Sequence, residues 1–109
     1  MIAIPVVSKK IKSNISICFG RCNYFAVVDD NGQITFLENK CKNSPAEAGI
    51  IAVKLLLENN IKIIISSNIG STTKSYLKNS SITVYDAGNL ETADKALSFL
   101  KLNKLVKMI

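Results

Sequence analysis

The sequence predicts an α/β domain in which a mixed β-sheet is covered by helices. Two β-prone runs flank an Asn-Gly turn, one near-continuous apolar run stands mid-chain, and later β-prone runs alternate with helical segments. A tight turn joins antiparallel strands, whereas strands that alternate with helices usually pair in parallel. Both kinds of pairing are therefore expected in one sheet.

The length of 109 residues and the apolar fraction of 48% indicate one folded domain that spans residues 1–109. At that size folding buries roughly two thirds of the surface of the unfolded chain, so a core is available without disulfides or metals. The composition, with no Pro/Ser/Gly-rich run, excludes a disordered chain.

The net charge of +6 is scattered along the chain, so a solvated surface is favoured over a nucleic-acid interface. No apolar run reaches the roughly 18 residues of a membrane span. The start "MIAIPVVSKKIK" has its apolar residues before its lysines, the reverse of a signal peptide. We expect a cytoplasmic protein without membrane association.

The first half of the chain contains three predicted strands. Residues Ile2 to Val7 are β-branched and bounded by polar residues, which is typical of a buried strand. The runs Tyr24 to Asp29 and Gln33 to Glu38 flank Asp30-Asn31-Gly32. Because Asn-Gly tolerates the positive φ of a tight turn, these two runs are predicted to form a hairpin.

A helix is predicted from Pro45 to about Asn59. Ser44 and Glu47 have the spacing of a capping box, and Pro45 stands where its missing amide costs nothing. An apolar stripe follows at helical spacing, and Asn59-Asn60 ends the helix.

The second half alternates strands and helices. "IKIIISS" is apolar enough for a parallel strand covered on both faces, and "NIGS" leads from it into a short helix, "TTKSYLKNS". "ITVYDAG" is the next strand, and Asn89 is predicted to cap a helix over "LETADKALSFLK". The tail "LNKLVKMI" fits either an extension of that helix or a separate segment.

The three cysteines have two interpretations. Cys18 and Cys22 would lie roughly 13 Å apart in an extended strand, whereas two thiolates on one metal lie roughly 4 Å apart. Joint ligation therefore needs a turn, which Gly20 permits, and the hairpin would bring Cys41 back towards Cys22. Three thiolates suit a soft metal or an iron–sulfur species. Alternatively, Cys22 is a small core residue and the other two are incidental.

Anions are the expected ligands of the same region. Arg21, the only arginine, stands between two thiols and fits an anion, although it could equally be a surface charge. Helix N-termini near Ser44, Ser71 and Asn89 would present free amides at the edge where parallel strands end. Gly70 precedes one of them and has the alternative role of allowing a turn. With no histidine in the chain, no Ser/His or Cys/His pair is available, and no catalytic residue is predicted.

Four stretches together resemble the dinitrogenase iron–molybdenum cofactor biosynthesis family. They are "IAIPV", "ISICFGRCNYFAVVDDNG", "AEAGIIAVKLLLENNIKIIISSNIG" and "ITVYDAGNLETADKAL", and they cover nearly the whole chain. The resemblance implies a ribonuclease H-like motif: a mixed sheet of about five strands with helices on both faces. It also implies a small carrier or accessory protein that binds an iron–sulfur or iron–molybdenum–sulfur cluster or its precursor. One departure is that Cys18 stands where relatives often have histidine.

The predicted cofactor-binding residues are those of the Phe-Gly-Arg segment, its two cysteines, the third cysteine and the glycine of the Ile-Gly turn. They are Cys18, Phe19, Gly20, Arg21, Cys22, Cys41 and Gly70, with Cys18, Cys22 and Cys41 as the metal ligands.

Three functions compete. The first is a non-catalytic carrier whose partners are metal–sulfur cluster donor or acceptor proteins. The second is a regulatory interaction domain without bound metal. The third, a metal-dependent nuclease or phosphotransferase, is disfavoured because the first strand, "IAIPV", offers no carboxylate.

Overall fold

A computed structural model describes residues 1–109 and contains six strands and three helices. In chain order they are β1 Ile2–Val6, β2 Tyr24–Val28, β3 Ile34–Glu38, α1 Ala48–Glu58, β4 Ile63–Ser66, α2 Ser71–Lys78, β5 Thr83–Asp86, α3 Ala93–Lys101 and β6 Val106–Lys107. The mixed α/β architecture is as predicted, with one strand more than the five expected.

The six strands form one sheet in the order β3-β2-β1-β4-β5-β6. The hairpin strands β2 and β3 pair antiparallel, and β2 pairs antiparallel with β1. On its other side β1 pairs in parallel with β4, and β4 in parallel with β5. The predicted combination of a hairpin with parallel strands is confirmed, and the carboxyl ends of β1, β4 and β5 lie at one edge of the sheet.

The β2–β3 hairpin has a turn with one left-handed residue. Only Gly32 takes a positive φ, of 81°, and its amide donates to the carbonyl of Asp29. The Asp29 carboxylate also accepts from the amides of Asn31 and Gln33. Asn31 keeps a negative φ, so the sequence correctly predicted the hairpin, while glycine alone supplies the unusual backbone conformation.

The two faces of the sheet bury separate cores because successive side chains of a strand point to opposite faces. Ala3, Phe25 and Ile64 pack on one face with buried residues of α1 and α2. Ile4 and Ile65 pack on the other face with buried residues of α3. Helices therefore cover both faces, α1 and α2 on one and α3 on the other.

Two predicted helix starts are wrong. Helix α1 begins at Ala48 rather than Pro45, and its N-cap is Glu47, which has a φ of 59° and makes no side-chain cap bond. Residues 40–43 form a turn instead, after which the Ser44 amide donates to the carbonyl of Cys41, and residues 44–47 are irregular. The capping box therefore does not form.

The second wrong start is that of α3, which begins at Ala93 with Thr92 as N-cap. Residues after Asn89 pair with an earlier loop rather than starting a helix: the carbonyl of Glu91 accepts from Ile15, and Asn14 forms a bridge with Thr92. Asn89 itself caps nothing.

The helix ends agree better with the sequence. At the end of α1, Asn60 has a φ of 62°, and the amides of Asn60 and Ile61 donate to the last turn of the helix. Asn103 ends α3 with the same pattern and a φ of 56°. Such a left-handed residue satisfies carbonyls that the helix leaves free. The C-terminal tail is a separate segment that pairs antiparallel with β5 as β6.

Candidate functional site

A cleft of about 340 Å³ opens at the sheet edge where the parallel strands end. Its walls are the segment between β1 and β2, the first turns of α1 and α2, and the loop after β4. The residues that line this cleft are Ile17, Cys18, Phe19, Gly20, Arg21, Ala48, Gly49, Asn68, Gly70 and Thr73. Ligands of open α/β sheets usually bind at this edge.

Two glycines let the walls of the cleft approach one another. A Cβ on Gly20 would lie 2.6 Å from the Cα of Gly49, and a Cβ on Gly49 would collide with the hydroxyl of Thr73. Contacts this short do not occur with real side chains, so both positions require glycine. The Phe-Gly-Arg segment and α1 are therefore packed backbone to backbone beneath the cleft, and the side chain of Thr73 from α2 packs directly on Gly49.

The N-termini of α1 and α2 both border the cleft. First-turn amides have no partner inside a helix, and neither N-cap, Glu47 or Gly70, supplies a side-chain bond. Neither first turn contains an acidic residue. The cleft is thus bordered by two positive helix ends, and the one acidic residue beside them is Glu47, the exposed N-cap of α1, which does not line the cleft.

Thr73 adds a polar group to the wall of the cleft. The residue is 9% exposed, and its Oγ1 lies against Gly49. A hydroxyl both donates and accepts, so Thr73 offers the cleft one uncharged hydrogen-bonding group.

Arg21 lies at the rim of the cleft, where its Nη1 donates to the carbonyl oxygens of Lys42 (3.0 Å) and Ser44 (2.9 Å). These bonds hold the loop that precedes α1. A guanidinium has five donors, so Nε and Nη2 stay available to an anion in the cleft. The two interpretations of Arg21, a structural one and a binding one, are compatible.

The structure separates the three cysteines into three environments. Cys18 is exposed and lines the cleft, Cys22 is 2% exposed within the core beside Phe25, and Cys41 is partly exposed in the loop after β3. Burial raises the pKa of the Cys22 thiol from 9.0 to about 12, and a hydrogen bond from Asn39 offsets only part of that rise. In this conformation Cys22 is a protonated core thiol.

Asn39 connects the cysteine segments. Its side-chain amide donates to the carbonyls of Gly20 (3.0 Å) and Cys22 (2.9 Å), and its oxygen accepts from the amide of Cys41 (3.2 Å). The hairpin thus brings the Cys41 loop beside the Cys22 segment, as predicted. The side chains themselves do not meet in a ligand set: no group of three His, Cys, Asp or Glu residues is arranged to hold a metal ion.

Of the seven predicted binding residues, five line the cleft: Cys18, Phe19, Gly20, Arg21 and Gly70. Sequence reasoning missed Gly49, Asn68, Thr73 and the buried linker Asn39. Only Asn68 and Thr73 had a local signal, because they flank the Gly70 turn that was already expected at this edge. Gly49 and Asn39 act through long-range contacts that no local pattern marks.

The family described as dinitrogenase iron-molybdenum cofactor matches residues 1–102. The chain belongs to this family. Membership confirms the resemblance inferred from the Phe-Gly-Arg segment and the later stretches, and the family's description connects it with that cofactor. Among curated proteins, no relative matches the chain.

Two solved structures have a fold similar to that of this chain. The apo form of the orange protein from Desulfovibrio gigas has a TM-score of 0.90 and 19% identity, and the match covers 97% of this chain and 90% of that chain. A NifB-like protein from Thermotoga has a TM-score of 0.84 and 27% identity, and the match covers 98% of this chain and 91% of that one. None of the three helices has the length and apolar character needed to cross a membrane.

Proposed function

We propose that this member of the family is a non-catalytic carrier or accessory protein whose cargo is an anionic iron–sulfur or iron–molybdenum–sulfur cluster or its precursor. The observation that carries the proposal is the convergence, in one cleft that no carboxylate lines, of two helix N-termini, the Arg21 guanidinium and the Thr73 hydroxyl. Proteins that donate or accept such clusters would be its partners.

The chemistry of the cleft suits an anion better than a bare cation. Amides at helix N-termini and a guanidinium stabilise negative charge, and no carboxylate lines the cleft. Cys18 supplies one soft donor that could bind a metal of the cargo directly. We therefore propose binding mainly by charge and hydrogen bonds, with one thiolate.

Ligation by Cys18, Cys22 and Cys41 together remains the alternative way to hold the cargo. It would require Cys22 to leave the core and to lose a proton that burial holds until about pH 12. It would also break the three contacts of Asn39 that organise this region. Binding of the cargo in the cleft, with Cys18 as the one thiolate, needs neither change.

A regulatory interaction domain without cargo is the second candidate. The placement of Cys22 in the core, with the role of Arg21 in holding the loop before α1, favours a structural use of the motif. A nuclease or phosphotransferase is the weakest alternative, since β1 carries no carboxylate.

The experiment is reconstitution without oxygen, with Fe²⁺ and sulfide or with tetrathiomolybdate, followed by visible absorption and metal analysis. We expect stoichiometric colour in the unchanged protein, a loss in Cys18→Ser and Thr73→Val, and retention in Cys41→Ser. Equal loss in Cys18→Ser and Cys41→Ser would favour the three-thiolate site. Thiol ligation would be contradicted if the unchanged protein bound no more metal than a triple variant with serine in place of Cys18, Cys22 and Cys41. The carrier proposal would be contradicted if the unchanged protein bound no metal above background.

We also propose that the architecture is a ribonuclease H-like motif. The antiparallel β3-β2-β1 unit beside the parallel β1-β4-β5 unit, with helices on both faces, supports this assignment. Superposition of this chain on a ribonuclease H would test the assignment, and a different strand order or strand direction would contradict it.

A further inference from the structure

Exposed apolar side chains are concentrated where α3 ends and β6 begins. Phe99 is 37% exposed, Leu102 62% and Val106 72%. These three are half of the large apolar side chains that the molecule exposes. We refer to Phe99, Leu102 and Val106 as the C-terminal patch.

A groove of about 350 Å³ runs beside the C-terminal patch. One wall is the connection between β5 and α3, and the other contains Phe99, Lys104, Leu105 and Val106. None of its lining residues belongs to the cleft, so the groove is a separate feature of the surface. An apolar groove with exposed apolar side chains is typical of an interaction site.

The wall of the groove that comes from the end of the chain carries positive side chains only, and Lys104 is the one that lines the groove. Lys95, Lys101, Lys104 and Lys107 are the only charged side chains after Asp94. Asp86 is the one carboxylate that lines the groove, and its Oδ1 accepts from the amide of Gly88 at 2.8 Å. The rim therefore attracts negative charge.

The backbone offers a further binding element. β6 ends the sheet and has no strand on its outer side. An extended segment can add to such an edge through main-chain hydrogen bonds, with alternate side chains entering adjacent pockets.

From these observations we propose that the groove and the edge of β6 bind an extended segment of a partner protein in which acidic and apolar residues alternate. The apolar residues would contact the C-terminal patch, and the acidic ones would face the lysines. A second copy of this chain would bring the same four lysines together, which opposes self-association. Nucleic acid would leave the three apolar side chains without a partner.

The test measures fluorescence anisotropy of a labelled synthetic peptide in which glutamate alternates with valine. A peptide with lysine in place of glutamate and a short single-stranded RNA serve as comparison probes. We expect the acidic peptide alone to bind, with an affinity that falls about tenfold between about 50 mM and about 300 mM salt because the charges are exposed.

Val106→Glu and, separately, Leu102→Glu should each weaken binding about tenfold or more, since a carboxylate replaces an apolar contact and repels the peptide. Ile34→Glu is the matched control, because Ile34 is as exposed as Phe99 but lies on the opposite edge strand. Circular dichroism verifies that each variant is folded.

Three results would overturn the proposal: no binding of the acidic peptide, equal binding of the lysine peptide or the RNA, or equal loss in Ile34→Glu. Dimerisation of the unchanged protein in sedimentation that Val106→Glu abolishes would assign the surface to a second copy instead. None of these measurements depends on the cargo of the cleft.

Discussion

The N-terminus of α3 differs from those of α1 and α2 in what satisfies its amides. At α3 the chain does so itself: the amide of Ala93 donates to the carbonyl of Ser13 (3.1 Å), and the amide of Asp94 to that of Ile11 (2.9 Å). Asp94 also supplies a negative charge in the first turn. No side chain caps any of the three helices, but at α1 and α2 neither first turn contains an acid and no carbonyl of another segment accepts from a first-turn amide; both of these helices border the cleft.

The difference teaches that a helix N-terminus is not by itself an anion site. The lysine-rich loop between β1 and β2 closes the end of α3, although this helix has the same dipole as the others. Only where the chain leaves the amides open, beside a polar side chain such as Thr73, does the geometry favour a ligand.

The first prediction concerns how far solvent reaches into the cleft. We expect iodoacetamide to alkylate Cys18 in the folded protein and to spare Cys22. The pKa of Cys22 rises from 9.0 to about 12 on folding, and three units correspond to about a thousandfold less thiolate at neutral pH. Because the thiol is also 2% exposed, mass spectrometry of digests should show Cys22 reacting at least a hundredfold, on the order of two or more decades, more slowly in the folded than in the denaturant-unfolded protein. Comparable rates would mean that Cys22 is accessible and would revive the three-thiolate site.

The second prediction removes the close approach beneath the cleft. Gly20→Ala should lower the free energy of unfolding by about 1 to 3 kcal/mol, because the added methyl meets the backbone of Gly49. Gly70→Ala is the matched control: nothing lies within 4 Å of its Cβ position, and its φ of −64° suits alanine. Chemical denaturation of both variants measures the difference. Equal stabilities would show that the Gly20–Gly49 contact is not tight.

Elements set by local sequence were predicted correctly, whereas elements set by contacts between distant segments were not. The hairpin and β4 follow from local patterns, a turn glycine and an apolar run, and both are found. The start of α1 was wrong because Arg21, more than twenty residues earlier, holds the carbonyls of Lys42 and Ser44 and prevents the helix from beginning there. Interactions between distant segments override a local capping signal.

The same limit applies to the site. The Phe-Gly-Arg segment could be located from its composition, whereas the burial of Cys22 and the role of Gly49 depend on how α1 and α2 pack. The spacing of three cysteines suggested a common ligand set, but spacing along the chain does not determine which face of the sheet each side chain occupies. The buried Asn39 follows β3 and carries no local signature at all.

The third prediction makes the N-terminus of α2 resemble that of α3. Gly70→Asp places a carboxylate at the N-cap, where the extended backbone allows it to accept from first-turn amides. Helix stability should rise by only a few tenths of a kcal/mol, while binding of tetrathiomolybdate should weaken about tenfold because the new charge opposes the anion. Ser75→Asp adds the same charge one turn further along α2, on its exposed side, and should have a smaller effect. Equal losses in both variants would indicate a general charge effect rather than occupancy of the helix end.

The smallest effect, a change in melting temperature, is expected at the N-terminus of α3, where carbonyls of the chain already accept from the first-turn amides. The hydroxyl of Thr92, helped by the first-turn amides of α3 and by nearby Lys12, holds the pKa of Asp94 below its usual value of 3.8. A lowered folded-state pKa means that the carboxylate stabilises the fold at all pH values above its unfolded-state pKa and loses that contribution as the pH falls through the lower, folded-state pKa. Asp94→Asn should therefore decrease the melting temperature slightly at neutral pH, and the difference from the unchanged protein should disappear in acid below pH 3.8. Glu91→Gln, just before the helix, removes a charge without touching the first-turn amides and should not show this pattern. An unchanged melting temperature of Asp94→Asn at neutral pH would mean that the carbonyls of Ser13 and Ile11 alone satisfy the first-turn amides of α3. The difference from α1 and α2 would then rest on backbone pairing rather than on charge.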